Sequence, residues 1–189
     1  MNIQRAFFIF KLKQLKLLFL FFLLCCLHTT AQTNSIEINA KLDVENDLLH
    51  IQQKTVYFNN SSSNLTTLFL HNWGNSYKNK NTPLGKRFID DYRKDFYFSD
   101  AKDRGYSKIK SLTVNSEQVS FKEKKNQSDI IEVLLNKTLL PKDSLILSTT
   151  YTVKIPNAKY TGYGKIKNGY HLRFWNIVPA IFKEKWQTM

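Results

Sequence analysis

Between Ser144 and Ile155 the chain alternates without a break. Leu145, Leu147, Thr149, Tyr151, Val153 and Ile155 fall on one side, and Ser144, Ser148, Thr150, Thr152 and Lys154, with Ile146, on the other. A period of two belongs to a strand with one dry and one wet face. Pro141 and Pro156 bracket the run, where a missing backbone donor does least harm. This spacing predicts a central strand of a sheet, so the rest of the chain must supply its neighbours.

Other segments read the same way. From Ser35, residues Ile36, Ile38, Ala40 and Leu42 alternate with Glu37, Asn39, Lys41 and Asp43, and Glu45-Asn46-Asp47 forms a turn cluster. The run from Leu48 to Phe58 blurs at Gln52-Gln53, which predicts either a bulge near Gln53 or a strand covered on both sides. Val56-Tyr57-Phe58 and Leu65 to His71, separated by Asn59 to Asn64, have the pattern of two antiparallel strands joined by a loop. Asn59, Asn60 and Asn64 each begin a glycosylation acceptor triplet, read as chance matches in a chain rich in Asn and Ser. Further strands are predicted at Lys108 to Val114, Gln118 to Phe121 and Asp129 to Leu135, with a tight turn at Asn115-Ser116. A final extended run from Gly169 to Val178 is expected to turn Tyr170, Leu172, Phe174 and Val178 inward.

Asn72 to Ser107 is too long to be structureless inside a compact domain, so part of it must fold locally. Thr82 suits a helix cap and Pro83 the first helical position. Phe88, Tyr92 and Phe96 recur at four-residue steps with Ile89 beside them, and Arg87/Asp91 and Asp90/Lys94 are spaced as helix-surface pairs. A short amphipathic helix laid on a sheet accounts for the aromatic stripe more economically than a ligand platform. Asp103-Arg104-Gly105 ends the excursion as a turn.

The first 31 residues carry Arg5, Lys11, Lys13 and Lys16, no acidic residue, and an uncharged run from Leu17 to Leu27. That run is far short of the roughly 20 apolar residues needed to cross a bilayer, so it predicts a signal peptide cleaved between Ala31 and Gln32 and an exported, periplasmic, secreted or cell-surface protein. The rival readings are an uncleaved anchor, which Phe7 to Phe10 would lengthen, and a lipidated Cys, for which Leu23-Leu24 lacks the small preceding residue. Cys25 and Cys26 both lie in this leader, so residues 32–189 contain no disulfide or thiolate site. Those residues hold 24 Lys and Arg against 15 Asp and Glu. The lysines are interspersed with strand residues and form no basic block, so no nucleic-acid partner is expected.

Catalytic patterns are missing from the sequence. His50, His71 and His171 are the histidines beyond the leader, and none has a partner at the one-turn spacing of a His-Glu-x-x-His zinc helix. There is no Gly-x-Ser-x-Gly elbow. Thr161-Gly162-Tyr163-Gly164 lacks the third Gly, the following helix and the Walker lysine pattern of a phosphate loop and reads as a turn. Asp90 and Asp91 read as solvated charges. No catalytic, metal or substrate-binding residue is therefore assigned.

One order of motifs does point somewhere. Tyr57-Phe58-Asn59-Asn60-Ser61, Leu68-Phe69-Leu70-His71 and Asn75-Ser76-Tyr77 are followed by Phe98-Ser99, Arg104-Gly105-Tyr106, Thr149-Tyr151-Val153-Ile155-Pro156, Thr161-Gly162-Tyr163-Gly164, then Arg173-Phe174-Trp175, Pro179 and Trp186. This series resembles the amino-terminal β-domain of exported bacterial M1-class zinc aminopeptidases, from about Ile36 to Trp186. The resemblance implies an all-β, saddle-shaped, mostly antiparallel sheet or sandwich over residues 32–189, with one short helix in a long loop. It also implies a thermolysin-like catalytic domain downstream, whose zinc and Gly-x-Met-Glu-Asn motifs do not occur here. The chain is then expected to be cut off within its domain, inactive alone and aggregation-prone through an unpaired edge. It would bind no zinc itself and meet peptide only through that domain, touching the membrane only through its leader. The rival expectation is a stand-alone exported binding or adhesion module using Trp73, Tyr77, Tyr160 and Tyr163 as exposed aromatics.

Overall fold

The computed structural model describes residues 14–16 and 33–188. Two compact units divide the chain, Met1–Gln32 and Thr33–Met189, and the second holds the β-structure. The expected leader and its cleavage point lie outside the described residues except for 14–16.

The long strands are β1 (Ser35–Asp43), β2 (Leu48–Phe58), β3 (Leu65–His71), β4 (Tyr106–Val114), β7 (Gln127–Leu139) and β8 (Ser144–Lys154). Between β4 and β7 lie β5 (Glu117–Gln118) and β6 (Phe121–Lys124), and after β8 come β9 (Gly164–Ile166), β10 (Gly169–His171), β11 (Val178–Pro179), β12 (Ile181–Phe182) and β13 (Trp186–Gln187). One sheet runs β1-β2-β8-β4-β5 and the other β11-β3-β7-β6, while β9–β10 and β12–β13 are short ribbons. Every one of these strand pairs is antiparallel, and the inner faces of the two large sheets share one core. The protein is all-β and sandwich-like.

The predicted central strand is β8, paired with β2 on one side and β4 on the other. Its inward side is as read, with Leu145, Leu147, Thr149, Tyr151 and Val153 buried, while Thr152, expected on the wet side, is buried as well. Each such aliphatic or aromatic side chain contributes about 1.5–3 kcal/mol by leaving water. At Asn115-Ser116 both residues have positive φ, 49° and 69°, the backbone that a two-residue hairpin turn requires.

The β2–β3 pairing is corrected. Both strands exist, but β2 pairs with β1 and β8 and β3 with β7 and β11, so the Asn/Ser loop crosses between sheets and closes no hairpin. Asn59 holds the crossing: it is almost fully buried, and its Nδ2 donates to the carbonyls of Ser63 at 2.8 Å and Leu140 at 3.1 Å. An amide engaged in this way is a staple of the fold. Likewise the predicted strand Gln118 to Phe121 is split, β5 joining one sheet and β6 the other.

The blur at Gln52-Gln53 reflects neither a bulge nor two-sided burial, since β2 pairs in continuous register with both neighbours and alternates strictly in burial. Gln53 sits on the inner face as a polar core residue. Its Nε2 donates to Thr55 Oγ1 and the carbonyl of Ile177, and its Oε1 accepts from the Tyr151 hydroxyl at 2.6 Å. Buried amides are tolerated when each group is paired, so a residue that breaks the hydrophobic pattern still points into the core.

The long excursion contains helix α1 (Pro83–Asp90), begun as predicted by Thr82, whose Oγ1 accepts from the Gly85 N–H at 3.1 Å, with Pro83 in the first turn. The helix stops one turn early. Tyr92 has φ +59° and is 91% exposed, and Phe96, beyond the helix, is fully buried. Phe88 and Phe96 nevertheless meet, ring centroids 5.5 Å apart, because the chain reverses at Tyr92 and the Arg93 N–H bonds to the Phe88 carbonyl. The four-residue spacing was thus not a helical stripe, although two of its three aromatics do pack. With Tyr77, Tyr160 and Tyr163 they form a second, aromatic core.

The expected last strand is broken too. Phe174 has φ +54° and is 72% exposed, so it does not face inward, while Trp175 and Leu172 pack on the cores. Val178–Pro179 then pairs with Leu70–His71.

Candidate functional site

After β3 the chain enters a single 3₁₀ turn, Trp73–Tyr77, which buries Ser76 and Tyr77 and leaves Trp73 at the surface. Trp73 lies flat on His71, centroids 4.9 Å apart and planes 3° apart. Across the β3–β7 pairing His71 faces Ile130, which brings Asp129 beneath this turn. The Ser76 hydroxyl donates to Asp129 Oδ2 at 2.9 Å, and the Asn72 N–H to the Asp129 carbonyl at 2.7 Å.

The start of α1 and the turn at Thr161-Gly162-Tyr163-Gly164 supply the other walls. Tyr77 and Tyr163 lie 5.5 Å apart, and the Tyr77 hydroxyl shares a 2.7 Å hydrogen bond with Thr161 Oγ1. The turn needs its glycines for shape. Gly162 has φ +76°, and at Gly164, φ +133°, a Cβ would lie 2.1 Å from the Pro156 carbonyl oxygen. These elements enclose an open cavity of about 510 Å³, walled mainly by Trp73, Tyr77, Leu84, Ile130 and Tyr163, with Asp129, Arg87 and Arg173 as its charged groups. That volume is ordinary for a small-molecule site.

Burial dominates the electrostatics. It pushes the Tyr77 phenol up, and the Tyr163 phenol further, so both stay neutral across the physiological range. It also pulls His71 below the ordinary imidazole value, against the opposing pull of Asp129, and leaves His71 Nδ1 buried without a partner. Arg173 donates to the Thr161 carbonyl at 2.8 Å, and Arg87 faces Asp91 at 3.8 Å on the exposed side of α1.

Of the residues singled out in the sequence, Trp73, Tyr77 and Tyr163 line this cavity and the three histidines do not. His50 and His171 are exposed on β2 and β10, apart from half-buried His71 on β3. Among the described residues no group of three or more His, Cys, Asp or Glu side chains could hold a metal ion. Of the four aromatics expected to form an exposed binding surface, Tyr77, Tyr160 and Tyr163 are buried and only Trp73 reaches solvent. Those three pack the second core because the loops that carry them fold on one another. Asp129, by contrast, looked like an ordinary strand residue. Its one unusual feature is that a carboxylate opens an apolar run. No protein-family model matches the chain, and no curated protein matches it at a significant level.

Proposed function

We propose that this β-unit is the non-catalytic amino-terminal domain of an exported, zinc-dependent aminopeptidase of the M1 class, and that it walls the peptide cleft of a catalytic domain encoded downstream. The observation that carries this reading is the aromatic segment after β10. Ile177 donates to the Tyr151 hydroxyl in the first sheet, Val178–Pro179 pairs with β3 in the second, and Trp186 packs on Tyr57 at 6.3 Å and Phe69 at 5.8 Å. The segment thus seals the sandwich while turning Phe174 and Ile181 outward, 72% and 65% exposed. Large apolar side chains held at the surface by a well-packed segment are ones that a neighbouring domain would cover.

The same segment supplies the last motifs of the order that resembles this class, Arg173-Phe174-Trp175, Pro179 and Trp186. The lysines support a solvated surface more than a nucleic-acid one: Lys78 pairs with Glu123, Lys122 with Glu132, Lys137 with Glu117 and Lys159 with Asp103. In this reading zinc and the general base belong to the neighbouring domain, and no residue described here takes part in the reaction.

The reading frame beyond the Met189 codon tests the proposal. An in-frame His-Glu-x-x-His, in a longer product that releases amino-terminal residues from peptides only when zinc is supplied, is the expected result. A stop codon directly after Met189, or peptidase activity in the 189-residue chain alone, overturns it.

A further inference from the structure

Asp129 is 8% exposed, and burying a carboxylate is costly unless something pairs with it. Its Oδ2 accepts the Ser76 hydroxyl, and among the described residues no Lys, Arg or His forms an ion pair with it. Burial pulls His71 below the ordinary imidazole value, against the charge of Asp129 and a backbone hydrogen bond to Gln187, which raise it. Arg173 is turned to the Thr161 carbonyl and Arg87 toward Asp91. The cavity therefore contains a buried carboxylate with which, among the described residues, no cationic side chain forms an ion pair.

Trp73, Tyr77 and Tyr163 line the same cavity as that carboxylate. Aromatic faces carry negative partial charge and attract a cation within about 6 Å of the ring centre. Both phenols remain neutral, so the rings keep that character. A cavity lined by a buried carboxylate and by aromatic rings is an environment that takes an ammonium group. The ammonium has three donors to give, and its charge is stabilised by the carboxylate and the rings together. Leu84 and Ile130 provide apolar surface for the body that carries it. Arg87 and Arg173 line the same cavity, so a second cationic group on the ligand would meet like charge.

We propose that this cavity is a binding site for small monocations, a primary ammonium on an aromatic or aliphatic body, with Asp129 as the anionic anchor. The site belongs to the β-unit itself and needs no neighbouring domain, so it goes beyond the wall reading and does not depend on it.

Calorimetric titration of the full chain with phenethylammonium, phenylacetate and phenethyl alcohol tests this, since the three share one body and differ in the head group. The ammonium is expected to bind at least about tenfold more tightly than the other two, and Asp129→Asn to weaken it by about tenfold, the scale of one charge-assisted hydrogen bond. Phenylacetate binding as tightly as the amine would assign the cavity to its arginines and overturn the proposal. So would no amine binding at millimolar concentration, or unchanged affinity in a folded Asp129→Asn. Should that variant fail to fold, the three-ligand comparison on the unaltered chain decides.

Discussion

The Tyr151 hydroxyl donates to Gln53 Oε1 at 2.6 Å inside the core, joining adjacent strands β8 and β2 through side chains on their buried face. The same hydroxyl accepts from the Ile177 N–H at 3.2 Å, and Gln53 Nε2 returns a hydrogen bond to the Ile177 carbonyl. One polar trio thus fastens the crossing segment at residue 177 to the first sheet.

Tyr151→Phe leaves Gln53 Oε1 and the Ile177 N–H unpaired in an apolar interior, which is expected to cost about 1–3 kcal/mol. Urea denaturation measures it. Combining it with Gln53→Leu should cost less than the sum of the single changes, because the two groups satisfy each other. Strict additivity would show that they act independently.

Thr82 caps α1 and also donates its hydroxyl hydrogen toward the Ser76 carbonyl, 2.7 Å away. Thr82→Ala is expected to destabilise the protein by about 1 kcal/mol and Thr82→Ser by much less, since Ser retains the oxygen. Thermal melts of the two variants separate the hydroxyl from the methyl group.

The two glycines of the Tyr163 turn should differ in tolerance. A side chain at Gly162 meets only the end of Arg173, at 3.6 Å, so Gly162→Ala bears mainly the left-handed backbone penalty of about 1–2 kcal/mol. Gly164→Ala drives a methyl group into the Pro156 carbonyl as well and should cost several times more, up to loss of folding. Chemical denaturation of both variants gives the ranking.

Asp47 ties the β1–β2 turn to the β9–β10 ribbon, bound by Lys165 and the Tyr170 hydroxyl at 2.7 Å each and by Lys154 at 3.4 Å. Burial alone would raise its pKa, but the hydrogen bonds from Lys165 and Tyr170 and the charge of Lys154 outweigh it, and the carboxyl lies below its usual 3.8. A depressed value stabilises the fold above the unfolded pKa, and that contribution vanishes as pH falls through the folded one. The stability gap between the unaltered chain and Asp47→Asn should be constant above about pH 4 and close below it. At the alkaline end the hydrogen bond to Asp47 helps push the Tyr170 phenol up to about 12, so its contribution is complete below 10.0 and is lost as pH rises toward 12. Melting temperatures of Asp47→Asn and Tyr170→Phe across both ranges check each arm.

What the sequence by itself determined is local. The alternation at Ser144 to Ile155, the Asn115-Ser116 turn, the Thr82-Pro83 helix start and the all-β class could be read from neighbours in the chain, because strand period, turn conformation and capping are set within a few residues. Partnership could not be read in this way. Whether Val56–Phe58 pairs with Leu65–His71 or the two part into different sheets turns on long-range burial, and the loop sequence is compatible with both. Gln53 looked like an interruption because its pairing partners lie at 151 and 177, and Phe96 looked helical because its spacing from Phe88 carries no record of the chain reversal at Tyr92. Asp129 came to line a cavity only when β3, β7 and the 161–164 turn were brought together by the fold, since the charge and solvation of a site depend on what surrounds it in space.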